Sequence, residues 1–299
     1  GPAEAWWART ADGVRVRIGH WSPETAARGT VFVVPGRTEY VEKYAVVADW
    51  LARAGWHALA IDWRGQGLAA RLLDNPVVGH VDRFVDYQQD LSAMTEVAER
   101  LGVPGPRHMI AHSMAGAIGL RALMDGGAFA SAVFSGPMWG IRISAAVRPV
   151  AVALLWAMRR AGLGGLRAPG TGADSYAATG TFDNNTLTTD PAMWDMMRDH
   201  VLAQPRLGLG GPSAAWLAEA LIETRTLAAR PAPRQPALCL LGAEEAIVDL
   251  GRIHTRMAGW GNGRLEVLAG KRHEVLMEDA ATRERALGAC RALFDAASG

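Results

Sequence analysis

Six short, almost wholly apolar runs, at residues 30–34, 57–62, 108–112, 132–135, 237–241 and 265–268, constrain this chain more than any other feature. A strand with one wet face alternates apolar and polar residues, and these runs do not. They read as strands covered on both faces, the pattern of a largely parallel sheet buried between helices. Ahead of them, residues 5–10 and 14–18 flank Asp12-Gly13, and the second segment alternates apolar with charged residues. That is an antiparallel hairpin with one wet face, and it brings the sheet to eight strands.

Helix-length segments separate several of the runs. Over 81–101, Phe84, Tyr87, Leu91, Met94, Ala98 and Leu101 recur every three or four residues and make one apolar face. Residues 40–54, 115–124 and 282–297 also read as helices. Strand, helix and strand repeated with right-handed crossovers predict an α/β fold with a mostly parallel eight-stranded sheet flanked by helices. The alternation stops over 137–236, where Trp139, Trp156, Trp194 and Trp216 sit among helical stretches joined by Gly- and Pro-rich turns. The expected organisation is a core of residues 1–136 and 237–299 with a helical insertion of 137–236. A length of 299 residues with 49% hydrophobic residues suffices for one such core plus an insertion.

Other classes fall away on charge and composition. Lys and Arg number 31 against 30 Asp and Glu, with no run of like charge, so no nucleic-acid partner is expected. Cys239 and Cys290 lie in apolar segments far from any histidine cluster and read as buried thiols. The longest apolar stretch, 147–158, is broken by Arg148 and Pro149 and is too short to span a bilayer. Gly1-Pro2 reads as a tag remnant, and a cytoplasmic location is the expectation. No H-E-x-x-H, phosphate-loop lysine or G-x-G-x-x-G after a strand occurs, so neither a metal nor a nucleotide cofactor is expected.

The chemistry centres on His108-Met109-Ile110-Ala111-His112-Ser113-Met114-Ala115-Gly116, where an apolar strand runs straight into a serine and then into small residues that begin a helix. Such a turn exposes the serine hydroxyl above the sheet, and the close passage of strand and helix demands small neighbours. A serine before a helix is also commonly an N-cap. A nucleophilic hydroxyl needs a base, and the base needs a third group to fix its tautomer. His273 follows the run 265–268, and Glu244, Glu245 and Asp249 follow the run 237–241, all at carboxyl ends of strands, where open α/β sheets place their sites. Glu245 is the favoured acid, being four residues past the strand; Asp249 is the alternative. Oxyanion donors are expected from the N–H groups of Met114 and Arg37, the latter in the loop Pro35-Gly36-Arg37-Thr38-Glu39-Tyr40. His112 is set aside as pointing elsewhere.

With these pieces in place the sequence resembles the alpha/beta-hydrolase superfamily, and within it the lysophospholipase L2 and monoacylglycerol lipase-like branch of serine hydrolases. The resemblance runs over nearly the whole chain. Residues 35–40 resemble that branch's oxyanion segment, with Pro35 in place of the usual His. Asp62-Trp63-Arg64-Gly65-Gln66-Gly67 is similar to its D-x-R-G-x-G turn, and 111–116 to its Gly-His-Ser-Met-Gly-Gly elbow, with Ala111 and Ala115 for glycine. Residues 185–190 and 210–216 resemble the lysophospholipase side in particular. The resemblance implies a lid formed by 137–236, whose Met and Trp content suits an acyl-chain pocket. Trp194 and Met197 are the candidate substrate contacts. It also implies ester hydrolysis through an acyl-enzyme on monoacyl lipid-like esters, with transient contact at a membrane surface. Rival readings are the same triad acting on a lactone, thioester or small ester, and an inactive ligand-binding homologue.

Overall fold

The computed structural model describes residues 3–144 and 146–298; Gly1 and Pro2, read above as a tag remnant, lie outside them. One eight-stranded sheet runs in the order β1-β2-β4-β3-β5-β6-β7-β8. The opening hairpin, β1 (Ala3–Arg9) and β2 (Arg15–Trp21), is antiparallel, and β2 also pairs antiparallel with β4 (His57–Asp62). From β4 onward, β3 (Thr30–Val34), β5 (Arg107–His112), β6 (Ser131–Ser135), β7 (Ala237–Gly242) and β8 (Gly263–Leu268) pair in parallel.

The period of two in these runs separates two apolar faces rather than a wet face from a dry one. Val31, Val33, Ala58, Ala60, Ile110, Val133, Leu238 and Leu240 share one core with α1 (Ala45–Arg53) and α9 (Ala280–Ala296). Phe32, Leu59, Met109, Ala111, Phe134 and Cys239 share the other with α2 (Tyr87–Arg100), α3 (Met114–Met124) and α8 (Leu250–Ala258). β8 departs from the expectation. It pairs only with β7 and leaves Arg264 and Val267 exposed, because an edge strand has no second neighbour to help cover it. Cys239 and Cys290 are free and buried.

Two helices start later than their apolar patterns suggest. A 3-10 turn at Val41–Tyr44 precedes α1, where the Val41 N–H donates to Asp62 Oδ1 at 2.8 Å instead of entering a helix. A second turn, Phe84–Asp86, precedes α2. Between β6 and β7 the chain forms α4 (Arg148–Arg160), α5 (Tyr176–Thr179), α6 (Pro191–Ala203) and α7 (Ala214–Ala228). Among the described residues no helix is long and apolar enough to cross a membrane. The loops after β3, β5, β7 and β8 all leave the carboxyl edge of the parallel strands, and the candidate triad and oxyanion residues lie on or directly after them, whereas Trp194 and Met197 lie on α6.

Candidate active site

Ser113 is the single residue between β5 and α3, and its backbone sits at φ 51°, ψ −116°. A residue with a Cβ pays about 1–3 kcal/mol to be there, so the surroundings must hold it in place. They do: its N–H donates to Ser135 O at 3.0 Å, and its carbonyl accepts from the Gly116 and Met138 N–H groups, each at 2.8 Å. The side chain makes no capping hydrogen bond to α3. The N-cap alternative therefore fails, and the hydroxyl is left for other work. Ala111 and Ala115 fit, fully buried, where the family pattern has glycine. The closest passage lies at Gly116, where an added Cβ would collide with Pro137.

His273 and Glu245 meet. Nδ1 of the buried imidazole lies 2.5 Å from Glu245 Oε2, so Nδ1 carries the proton and Nε2 is the basic nitrogen. Glu245 Oε1 accepts from the Ile247 and Val248 N–H groups at 2.6 and 3.2 Å, which fixes the carboxylate's plane. Burial works to raise this carboxyl's pKa, but the imidazole and the two backbone donors outweigh it and hold it below its usual value. Asp249, the alternative acid, is engaged elsewhere: it is the N-cap of α8, its Oδ1 accepting from Arg252 N–H at 3.2 Å. Glu244 is exposed and lies 3.8 Å from Arg272 Nε. Serine and histidine loops share a neighbour in the strand-end segment Ser135-Gly136. The Ser135 carbonyl holds Ser113, and a Cβ on Gly136 would lie 3.0 Å from His273 Nδ1. The His273 imidazole is hydrogen-bonded to Glu245, and the hydrogen bond from Ser113 Oγ to Nε2 is one that commonly tightens only when substrate binds.

The loop 35–40, expected to supply an oxyanion donor, is built from below. Gln66 Nε2 donates to Gly36 O at 2.7 Å and to Glu39 O at 3.1 Å, Trp63 Nε1 donates to Pro35 O at 2.8 Å, and Glu39 Oε2 accepts the Gly36 N–H. Arg64 in the same turn is anchored by Asp90 and Asp12. The D-x-R-G-x-G turn is thus the scaffold of the loop that faces the serine. Among the described residues, neither Arg37 N–H nor Met114 N–H has a protein acceptor, as donors reserved for a ligand must. A Cβ on Gly36 would lie 2.9 Å from Ser113 Cβ and 3.0 Å from Glu39 Oε2. Gly36→Val is therefore expected to displace this loop and lower kcat on a para-nitrophenyl ester by about 10²-fold, the usual cost of one lost oxyanion donor. Thermal melting, measured alongside, should stay within a few degrees of wild type; a variant with wild-type kcat removes the loop from the site.

Two segments between β6 and β7 brace these loops. The carbonyls of Thr186 and Leu187 accept the His273 and Glu274 N–H groups at 3.4 and 2.8 Å, in a turn pinned by Asn185 Oδ1. Gly210 O accepts from Arg37 Nη2, and the Arg37 guanidinium lies 5.5 Å over the Trp216 ring. Burial pushes the Arg37 pKa down to about 10. Trp194 and Met197, the expected substrate contacts, are both buried on α6. Trp194 is buried edge-on against Tyr176 at 5.7 Å, and Met197 is buried with its carbonyl accepting the Tyr40 hydroxyl at 3.2 Å. An apolar groove of about 740 Å³ lies between α4 and α7, walled by Val152, Leu155, Trp156, Leu221 and Ile222. Its wall begins at Gly140, two residues beyond the Met138 that hydrogen-bonds Ser113.

His112, set aside in the sequence reading, is a neighbour of the base: the two imidazole rings are 4.7 Å apart. Burial drives the His112 pKa down to about 3, so it is neutral beside His273. Glu39, His112 and Glu274 bring ligand atoms within 4.8 Å of one another, a grouping that could hold a metal ion. Lys43 already supplies the cation there, with Nζ 2.5 Å from Glu39 and 2.6 Å from Glu274.

The profile of the family described as serine aminopeptidase, S33 (Hydrolase_4) matches residues 25–280. The chain belongs to this family of alpha/beta-hydrolases. It is 35% identical to lysophospholipase L2 of Escherichia coli (strain K12) over 269 residues, 87% of this chain and 78% of the relative. To the probable lysophospholipase L2 of Haemophilus influenzae it is 30% identical, covering 89% of this chain and 83% of the relative. Among solved structures, a soluble variant of monoglyceride lipase from Saccharomyces cerevisiae superposes with a TM-score of 0.76 over 99% of this chain and 97% of that one, at 17% identity. That likeness establishes the fold.

Within this hydrolase, sequence reasoning assigns no role to Gln66, Lys43 or Asn185, and sets His112 aside. Gln66 carried a signal, its place inside a family turn, but the turn does not say which loop its side chain reaches. Lys43 had a fainter one, as the only lysine in an apolar stretch just past the oxyanion segment.

Proposed function

We propose that the chain is a serine carboxylic ester hydrolase working through Ser113, His273 and Glu245 on monoacyl lipid-like esters, with residues 137–236 as a lid over the core. The observation that carries this reading is the buried His273–Glu245 pair at the same sheet edge as a strained serine that caps nothing. Ser113 Oγ attacks the ester carbonyl while His273 Nε2 takes its proton, and Glu245 steadies the imidazolium through Nδ1. The oxyanion is received by the Arg37 and Met114 N–H groups. His273 returns the proton to the departing alcohol, leaving an acyl-serine. Water then attacks that acyl group with His273 again as base, releasing the acid and free serine. The lysophospholipase L2 relatives support a lipid-like substrate, and the α4–α7 groove offers an apolar wall for a single acyl chain.

Fluorophosphonate labelling followed by a series of para-nitrophenyl esters tests this reading. Each methylene buried in the groove contributes up to about 0.8 kcal/mol, so kcat/KM should climb from acetate to octanoate. Val152→Asp, which puts a charge on the groove wall, should flatten that climb. Trp194→Ala should chiefly lower the melting temperature, since truncating a buried tryptophan costs about 3–5 kcal/mol. A preference for acetate, or faster turnover of a lactone or thioester than of any monoacyl lipid, overturns the lipid substrate. A wild type that does not label is an inactive homologue.

A further inference from the structure

Under the two catalytic loops lies a buried charged cluster that the reaction as written does not use. Lys43, in the turn before α1, places Nζ 2.5 Å from Glu39 Oε1 and 2.6 Å from Glu274 Oε2, and all three side chains are at most 5% exposed. Glu39 belongs to the oxyanion loop: its Oε2 accepts the Gly36 N–H and the Tyr44 hydroxyl, the latter at 2.8 Å. Glu274 directly follows His273 in the chain. His112, directly before Ser113, places Nε2 3.7 Å from Glu39 Oε1. A single ammonium therefore touches one carboxylate on the loop that carries the Arg37 donor and another on the loop that carries the base.

Stability alone is a poor reason for such a cluster. Removing three charges from water costs several kcal/mol per ion, and well-packed apolar side chains of similar volume commonly serve stability as well or better. What apolar packing cannot supply is a directional link between two loops that share no backbone hydrogen bond. Burial works against the lysine's charge, but Glu274 and Glu39 outweigh it and keep the ammonium protonated. Burial likewise raises Glu274, with Lys43 opposing.

We propose that Lys43 is a positioning residue that sets the spacing between the oxyanion donors and the base, tying the Gly36-Arg37 loop through Glu39 to the His273 loop through Glu274. The inference rests on the hydrolase reading above. Its effect belongs in kcat, because the acyl chain is held by the groove whereas the Arg37 N–H and His273 must both meet the reacting ester group at once.

Two variants test it, Glu274→Gln and the charge-balanced Lys43→Met/Glu274→Gln, the second removing one positive and one negative group together. Turnover of para-nitrophenyl octanoate is measured per active site titrated with a fluorophosphonate, so that a smaller folded fraction does not count as slower chemistry. A misplacement of about 1 Å costs on the order of 10²-fold, so kcat per site should fall about tenfold in Glu274→Gln and about 10²-fold in the double variant. KM should stay within about threefold, the mark of an interaction expressed in the transition state. Affinity for an octyl trifluoromethyl ketone, whose adduct on Ser113 carries the oxyanion, should fall with kcat. Unchanged turnover per site, or a rise in KM that accounts for the whole loss, overturns the role of Lys43. Should the double variant not fold, Glu274→Gln alone decides on the same criteria, since it leaves the Lys43–Glu39 pair in place. A wild type that does not label sinks the hydrolase reading itself, whereas a labelled wild type with unaltered variants overturns only this inference.

Discussion

Ser113→Ala is expected to lower ester hydrolysis by about 10⁴-fold to 10⁶-fold while the protein melts as wild type does. The two halves of this expectation have separate causes. Activity is lost because the attacking hydroxyl is gone from the turn that directly precedes Met114 and packs against Gly36. Stability is kept because the hydroxyl caps nothing: an N-cap serine would cost about 0.5–2 kcal/mol on replacement, and Ser113 makes no capping bond. Alanine has the same Cβ, so the φ of 51° is no more strained with it than with serine. Para-nitrophenyl ester turnover, fluorophosphonate labelling and a circular-dichroism melt on one preparation read all three points. Activity above about a tenth of wild type with a normal melt would take Ser113 out of the mechanism, since a true triad member does not leave that much behind.

What the sequence made legible follows from what each pattern encodes. Runs dominated by apolar residues report burial on both faces, so the parallel strands are legible in the sequence pattern; β8, whose run is interrupted by Glu266, pairs with β7 at the sheet edge and is only partly covered. The elbow was readable because strand, serine and small residues are contiguous. Its close contact was not, since it falls at Gly116 against Pro137, a pairing of residues from different elements. The same limit governs the segment between β6 and β7. Its Met and Trp content points to an apolar pocket, but composition does not orient side chains: Trp194 packs edge-on against Tyr176 and the Met197 carbonyl accepts from Tyr40, while a groove opens between α4 and α7. Gln66, Asn185 and Lys43 act on loops far from them in sequence. Such supports are visible only once the sheet has brought strand ends together.

The base and its acid give the second large effect. His273→Ala should be as damaging as loss of the serine, and fluorophosphonate should label that variant far more slowly than wild type, because Ser113 then has no proton acceptor. The acid is decided by comparing Glu245→Gln with Asp249→Asn. Glutamine at 245 can still accept from the Ile247 and Val248 N–H groups through its carbonyl, so the loop keeps its shape. The amide then faces His273 Nδ1 with a donor, which favours the tautomer whose Nε2 carries the proton and cannot act as base. A loss of about 10⁴-fold in kcat is the scale of that error in a triad. Asparagine at 249 caps a helix as well as aspartate does, so Asp249→Asn should leave α8, the melting temperature and kcat nearly as they were. The pH dependence of stability has a definite sign. Because Glu245 is held below its usual pKa in the folded protein, its contribution is full above the unfolded carboxylate value and is lost as the pH falls through the lower, folded value. Glu245→Gln should therefore narrow the gap in stability between pH 7 and the acid range, an effect that Asp249→Asn should not share. If Asp249→Asn is the crippling change and Glu245→Gln is mild, the hydrogen bond between Glu245 and His273 is structural and the acid must be reassigned.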